Sequence, residues 1–105
     1  MEYRKFGNTD LLVSEIGFGA WAIGGGAMIG TTSIGWGDSD DDVSIKAIHA
    51  SLVAGINFFD TAEVYPVPPQ VESAGITEEI VGEWLSTKNR DSVILATTTS
   101  HCIFF

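Results

Sequence analysis

"INFFDTAEVYP" (residues 56–66) places an apolar run directly before an aspartate, with a tyrosine five positions further on. Ile56, Phe58 and Phe59 read as a buried strand. Asp60 then falls where that strand ends, and Tyr65 falls in the loop beyond. A phenol titrates near 10, so it is a poor acid at neutral pH unless a nearby cation lowers its pKa. A buried aspartate could hold that cation in place. The chemistry therefore asks for a lysine from a neighbouring strand. By spacing alone the plainer reading stands equally open, with Asp60 as a cap and Tyr65 as a loop anchor.

Working outward from this strand, both flanks carry helix signals. On the N-terminal side, Ser39 is a good N-cap, with Asp40, Asp41 and Asp42 in a first turn where the macrodipole favours negative charge. Ile45, Ile48 and Leu52 recur on one face, flanked by Val43, Ala47 and Ala54. Gly55 sits where a C′ glycine belongs. On the C-terminal side, "PVPPQVESAG" is an irregular loop. Thr77 then caps a second helix that begins with Glu78 and Glu79 and has Ile80, Val81, Trp84 and Leu85 on its apolar side. "SVILAT" (residues 92–97) reads as a further strand.

Further upstream, Gly7, Asn8 and Asp10 are turn formers between Tyr3–Phe6 and Leu11–Val13, the pattern of a hairpin. Ile16–Gly19 reads as a short buried strand. Residues 20–37 are glycine-rich, hold Trp21 and Trp36, and read as a long loop. The order hairpin, β, α, β, α, β implies parallel pairing through right-handed crossovers.

Composition narrows the function classes. The chain has 105 residues, which suits one small domain. Its 14 acidic and 5 basic residues give a net charge of −9, which argues against nucleic acid, because phosphate binding needs clustered Lys and Arg. No apolar run approaches the roughly 20 residues of a membrane span, and no leader is evident. The single cysteine, Cys102, suits a reducing compartment, so a cytoplasmic location is expected.

Three weaker motifs have plain readings. "GFGAWA" fits G-x-G-x-x-A through Gly17, Gly19 and Ala22. The dinucleotide fingerprint needs a helix to start at once, and three consecutive glycines follow instead. "DSDDD" (residues 38–42) lacks the glycine and glutamate of a calcium loop, since Val43 and His49 stand at those positions. His49, His101 and Cys102 do not match zinc spacing, so no metal is expected.

At this point "EYRKFGNTDLLVSEIGFGAWAIGGG", "AIHASLVAGINFFDTAEVYP" and "TEEIVGEWL…RDSVILAT" resemble the aldo/keto reductases, in that order, over about residues 2–97. "DTAEVYPVPP" is most similar to a bacterial branch with that proline-rich loop. The resemblance implies an α/β fold: an N-terminal hairpin plus about three βα units of a (β/α)8 TIM barrel, incomplete in this chain. It implies NADPH-dependent reduction of aldehydes and ketones, with NADPH as cofactor and a small carbonyl compound as substrate. Tyr65 takes the place of the proton donor and Asp60 that of its charge-network partner. Gly19, Ala20, Trp21 and Asp60 take the place of the contacts to the nicotinamide.

The chain also departs from that pattern. The family's catalytic lysine ends the third strand, and Thr98 stands there. His101 is too early to serve as the family's active-site histidine. Residues 1–105 thus read as a partial reductase domain, with 98–105 a tail unlike the family, as if the reading frame changed near Thr98. Three strands of an open barrel would leave edges unpaired and Ile16, Phe18, Phe58, Ile94, Phe104 and Phe105 with little to pack against. The expectations are an inactive, self-associating chain or, alternatively, a non-catalytic binding or subunit-interaction module.

Overall fold

The computed structural model describes residues 1–25, 27–29, 31–34, 40–63, 65 and 74–98. Strands β1 (Tyr3–Lys5) and β2 (Leu12–Ser14) form the N-terminal hairpin, antiparallel, with Tyr3 opposite Ser14. Then come β3 (Phe18–Gly19), β4 (Ala27–Ile29), β5 (Thr32–Ile34), helix α1 (Asp41–Val53), β6 (Phe58–Asp60), helix α2 (Ile76–Leu85) and β7 (Ile94–Ala96). β3, β6 and β7 make a three-stranded parallel sheet in that order, as the alternation of strands and helices requires. Among the described residues no helix is long and apolar enough to cross a membrane.

Pleating divides this sheet into two faces. Phe18, Phe59 and Leu95 lie in register on one face and pack with Ile48 of α1 and Ile80, Val81 and Trp84 of α2. Phe59 is 1% exposed and lies between the rings of Phe18 (5.7 Å) and Trp84 (5.2 Å). The other face carries Gly19, Phe58, Asp60, Ile94 and Ala96. Both helices therefore serve the first face, and Asp60 belongs to the second.

The hairpin is anchored to the chain just before β6, chiefly through Asn57, while the Tyr3 hydroxyl donates to the Gly55 carbonyl (2.7 Å). Asn57 Oδ1 accepts from the Ser14 N–H (2.7 Å), and Asn57 Nδ2 donates to the Leu12 carbonyl (2.9 Å). The Asn57 N–H in turn donates to Ser14 Oγ (3.1 Å). Phe6 reaches the sheet's second face, its ring 5.7 Å from that of Phe58.

Several sequence expectations need correction. Helix α1 is capped by Asp40, whose Oδ1 accepts from the Val43 N–H (3.0 Å). The expected cap, Ser39, lies outside the described residues. Gly55 does follow the helix with φ +104°, the left-handed conformation that favours glycine. Thr77 does not cap α2. Gly75 does so, with φ +82°, and Thr77 is drawn inside the helix and fully buried. Residues 20–37 are not one long loop: they hold a 3-10 turn (Trp21–Gly24) and the β4–β5 hairpin, in which Met28 opposes Ser33. Ile16 is exposed and precedes β3. Phe18 is not left bare but packs against the core, because it shares the helix-facing side with Phe59. Phe104 and Phe105 lie outside the described residues.

Candidate active site

The C-terminal ends of β3, β6 and β7 meet at one rim. Asp60 is the last residue of β6 and pairs with Gly19 on one side and Ala96 on the other. Glycine and alanine as neighbours leave room beside its carboxylate. The chain then turns: the Tyr65 N–H donates to the Ala62 carbonyl (3.2 Å). This turn folds the tyrosine back over the strand end. The Tyr65 hydroxyl donates to Asp60 Oδ2 at 3.3 Å. The expected pair is therefore brought together, across five residues of sequence.

Burial raises the Tyr65 pKa above its ordinary value of 10, and the Asp60 carboxylate adds to the rise through its charge and its hydrogen bond. All three effects favour the neutral phenol. Among the described residues no basic side chain pairs with Asp60, and the ion pair Arg4–Glu15 (3.5 Å) lies on the exposed hairpin. Among the described residues the phenol is thus held in its neutral form.

Trp21 flanks the pair. Its ring stacks on that of Tyr65, centroids 6.5 Å apart and planes 28° apart. Ala20 is 1% exposed, and its N–H donates to the Asp60 carbonyl (2.9 Å), which fixes the β3 end to the β6 end. Among the described residues a Cβ at Gly19 would meet nothing within 4 Å, so they leave the rim open there. Gly19, Ala20 and Trp21 thus adjoin Asp60 and Tyr65 at this rim.

Thr98 reaches the same rim. The parallel ladder continues past β7: the Thr61 N–H donates to the Ala96 carbonyl (2.9 Å) and the Glu63 N–H to the Thr98 carbonyl (3.1 Å). By alternation residue 98 belongs to the face of Ala96 and Asp60. Its threonine is exposed and carries no charge. His49 is exposed on α1, while His101 and Cys102 lie outside the described residues. Asp38 also lies outside them, and among the described residues no group of three metal-ligating side chains occurs.

Sequence reading missed how the rim is braced. The Thr97 hydroxyl donates to Glu78 Oε1, and the Gly75 N–H donates to the Glu63 carbonyl (2.8 Å). Glu78 was legible only as an acid in a helix's first turn. A separate open hollow of about 690 Å³, lined by Arg4, Phe6, Ile16 and Phe58 among others, lies at the opposite, N-terminal ends of the strands. The chemistry-bearing residues are not there, in keeping with the rule that parallel sheets place their sites at the carboxyl ends.

Comparison with known proteins agrees with this geometry. The family model for the aldo/keto reductase family matches residues 15–101. Aldo-keto reductase YhdN of Bacillus subtilis is 41% identical over 101 residues, covering 95% of this chain and 26% of that protein. The NADH-specific methylglyoxal reductase of Escherichia coli is 37% identical over 98 residues, covering 92% and 26%. Among solved structures, the aldo-keto reductase AKR11C1 from Bacillus halodurans (holo form) superposes with a TM-score of 0.66 at 33% identity, covering 92% of this chain and 25% of that one. The chain spans about a quarter of the length of the relatives it matches. With a family model matched over most of its residues and a parallel sheet that brings Asp60 to Tyr65, this chain belongs to the aldo/keto reductase family.

Proposed function

We propose that this chain is the N-terminal part of a (β/α)8 reductase domain, the hairpin and about three βα units, whose full-length form reduces aldehydes and ketones with NADPH. The observation that carries this reading is the hydrogen bond from the Tyr65 hydroxyl to Asp60 at a strand's C-terminal end. The relatives' names support a nicotinamide cofactor and a small carbonyl substrate, and one of those relatives is named for NADH.

The residues present fit the nicotinamide end of such a cofactor. The open position at Gly19 and the flat Trp21–Tyr65 stack leave a surface that a planar ring can approach beside the phenol. NADPH, when bound, supplies the hydride that adds to the carbonyl carbon. Tyr65 holds the proton that passes to the carbonyl oxygen, and Asp60 orients the phenol. A cation beside both would lower the phenol's pKa and pair with Asp60. Thr98 stands at that place and supplies none, so the chain by itself is inactive in this reading. Its basic residues, Arg4 and Lys5 among them, are not gathered at the rim to hold phosphates.

A second reading, the interaction module, draws on the sheet itself. Among the described residues β3 and β7 each have a free edge, and the Asp60 face has no helix over it. Free edges recruit further strands, which favours self-association of the 105-residue chain.

The test joins residues 1–98 to the remaining three quarters of Aldo-keto reductase YhdN and measures NADPH and NADH oxidation with an aromatic aldehyde. The hybrid with Thr98 should bind cofactor but turn over slowly, and Thr98→Lys should raise turnover by a factor on the order of 10² or more. Equal turnover with Thr98 and after Thr98→Lys would refute the assignment of position 98.

A further inference from the structure

We propose that Thr97 and Glu78 are positioning residues for the Asp60–Tyr65 pair, because their side chains close a hydrogen-bonded ring that joins Glu63, two residues before Tyr65, to Gly75 and residue 98. The functional meaning of this brace rests on the reading of Tyr65 as proton donor. The brace itself stands on geometry alone.

The ring runs through the peptide of Glu63. Its N–H donates to the Thr98 carbonyl (3.1 Å), and its carbonyl accepts from the Gly75 N–H (2.8 Å). Gly75 is the N-cap of α2, and its own carbonyl accepts from the Glu79 N–H (2.9 Å), so it is fixed to the helix. Glu78 stands at the third position of that helix. From there the Thr97 hydroxyl, donating to Glu78 Oε1, closes the circuit back to the segment after β7 that bears residue 98. Tyr65 leaves this ring two residues after Glu63, through the turn to Ala62.

The local chemistry explains why Glu78 is available. An acid at the third helical position ordinarily folds back to the N–H of the cap residue. Here that N–H is taken by Glu63. Glu78 is therefore free to reach β7, and it still complements the helix dipole. The other links of the ring are main-chain bonds, which only a proline substitution at the donor would remove. Thr97–Glu78 is the link that side-chain chemistry controls, and it holds the position of residue 98 whatever side chain stands there.

The test uses the 105-residue chain with ¹³Cζ-labelled tyrosine. Tyr3 serves as internal reference. Thr97→Val and Glu78→Ala should move the Tyr65 titration back toward the ordinary tyrosine value and reduce the shift its ring takes from Trp21, with Tyr3 unchanged. Amide exchange at Glu63 and Gly75 should quicken roughly five-fold, the size of one ordinary hydrogen bond. Thr97→Ser and Glu78→Gln keep a donor and an acceptor and should behave as the parent. Parent-like Tyr65 signals in both Thr97→Val and Glu78→Ala, with the fold intact by circular dichroism, would overturn the proposal. So would loss of the Tyr65 signature in the Ser and Gln variants. Asp60→Asn calibrates the readout: it should lower the Tyr65 pKa, and a Tyr65 titration unchanged in it would refute the Asp60–Tyr65 pairing and with it the positioning role.

Discussion

Replacing Asn57 with alanine should loosen the N-terminal hairpin from the sheet. The side chain makes two long-range bonds, one accepting from the Ser14 N–H at 2.7 Å and one donating to the Leu12 carbonyl at 2.9 Å. Ser14 is 4% exposed, so its N–H would be left buried without a partner, at about 1–3 kcal/mol. Leu12 is exposed, so water can replace the amide there and the loss is about 0.5–1 kcal/mol. The sum is about 1.5–4 kcal/mol, a large share of the roughly 5–15 kcal/mol that holds a domain folded. For a domain of this size it corresponds to a fall in Tm of roughly 6 °C or more. The assay is urea unfolding followed by tryptophan fluorescence, since Trp84 is buried in the core. Asn89→Ala is the control. That side chain accepts from the Asp91 N–H (3.1 Å) at an exposed 3-10 turn, and its loss should cost about 0.5–1 kcal/mol. If Asn57→Ala cost no more than Asn89→Ala, the hairpin would not be anchored as described.

Four further outcomes follow from the same geometry. Phe59→Ala empties the space between Phe18 and Trp84 and should cost about 3–5 kcal/mol, enough to abolish cooperative unfolding in calorimetry. Asp60→Asn removes a negative charge that disfavours the phenolate, so the Tyr65 pKa should fall, yet stay above 10 because burial remains; ultraviolet titration near 295 nm reads it. The same raised pKa means that the folded chain holds its proton longer than the unfolded one. Its stability contribution is therefore present below pH 10 and is lost as pH rises above it. The 105-residue chain should elute from size-exclusion chromatography with light scattering as more than a monomer, and a sharp reversible melt of a monomer would count against the free-edge argument.

Much of the fold was legible in local pattern. The turn residues Gly7, Asn8 and Asp10 marked the first hairpin, and the Ile45–Ile48–Leu52 spacing marked the buried side of α1. Asp60 and Tyr65 were legible because a strand end and a five-residue gap fix where both can lie. The β4–β5 hairpin escaped because its strands are only three residues long and stand among glycines, which hide any alternation. Thr77 looked like a cap because its hydroxyl precedes two acids. Core packing pulled it inside, and the left-handed Gly75 took over the cap. Asn57 and the Thr97–Glu78 link were invisible for another reason. Their partners are 43 and 19 positions away, and such register is settled by tertiary packing.

The account turns on Tyr65 as the proton donor of a complete barrel. The direct measurement is the turnover number of the YhdN hybrid carrying Thr98→Lys, with and without Tyr65→Phe, at saturating NADPH and aldehyde. Loss of the phenol should lower turnover by about 10²–10⁴-fold while cofactor affinity stays the same. Turnover within a few-fold of the tyrosine form would contradict the account and return Tyr65 to the role of a loop anchor.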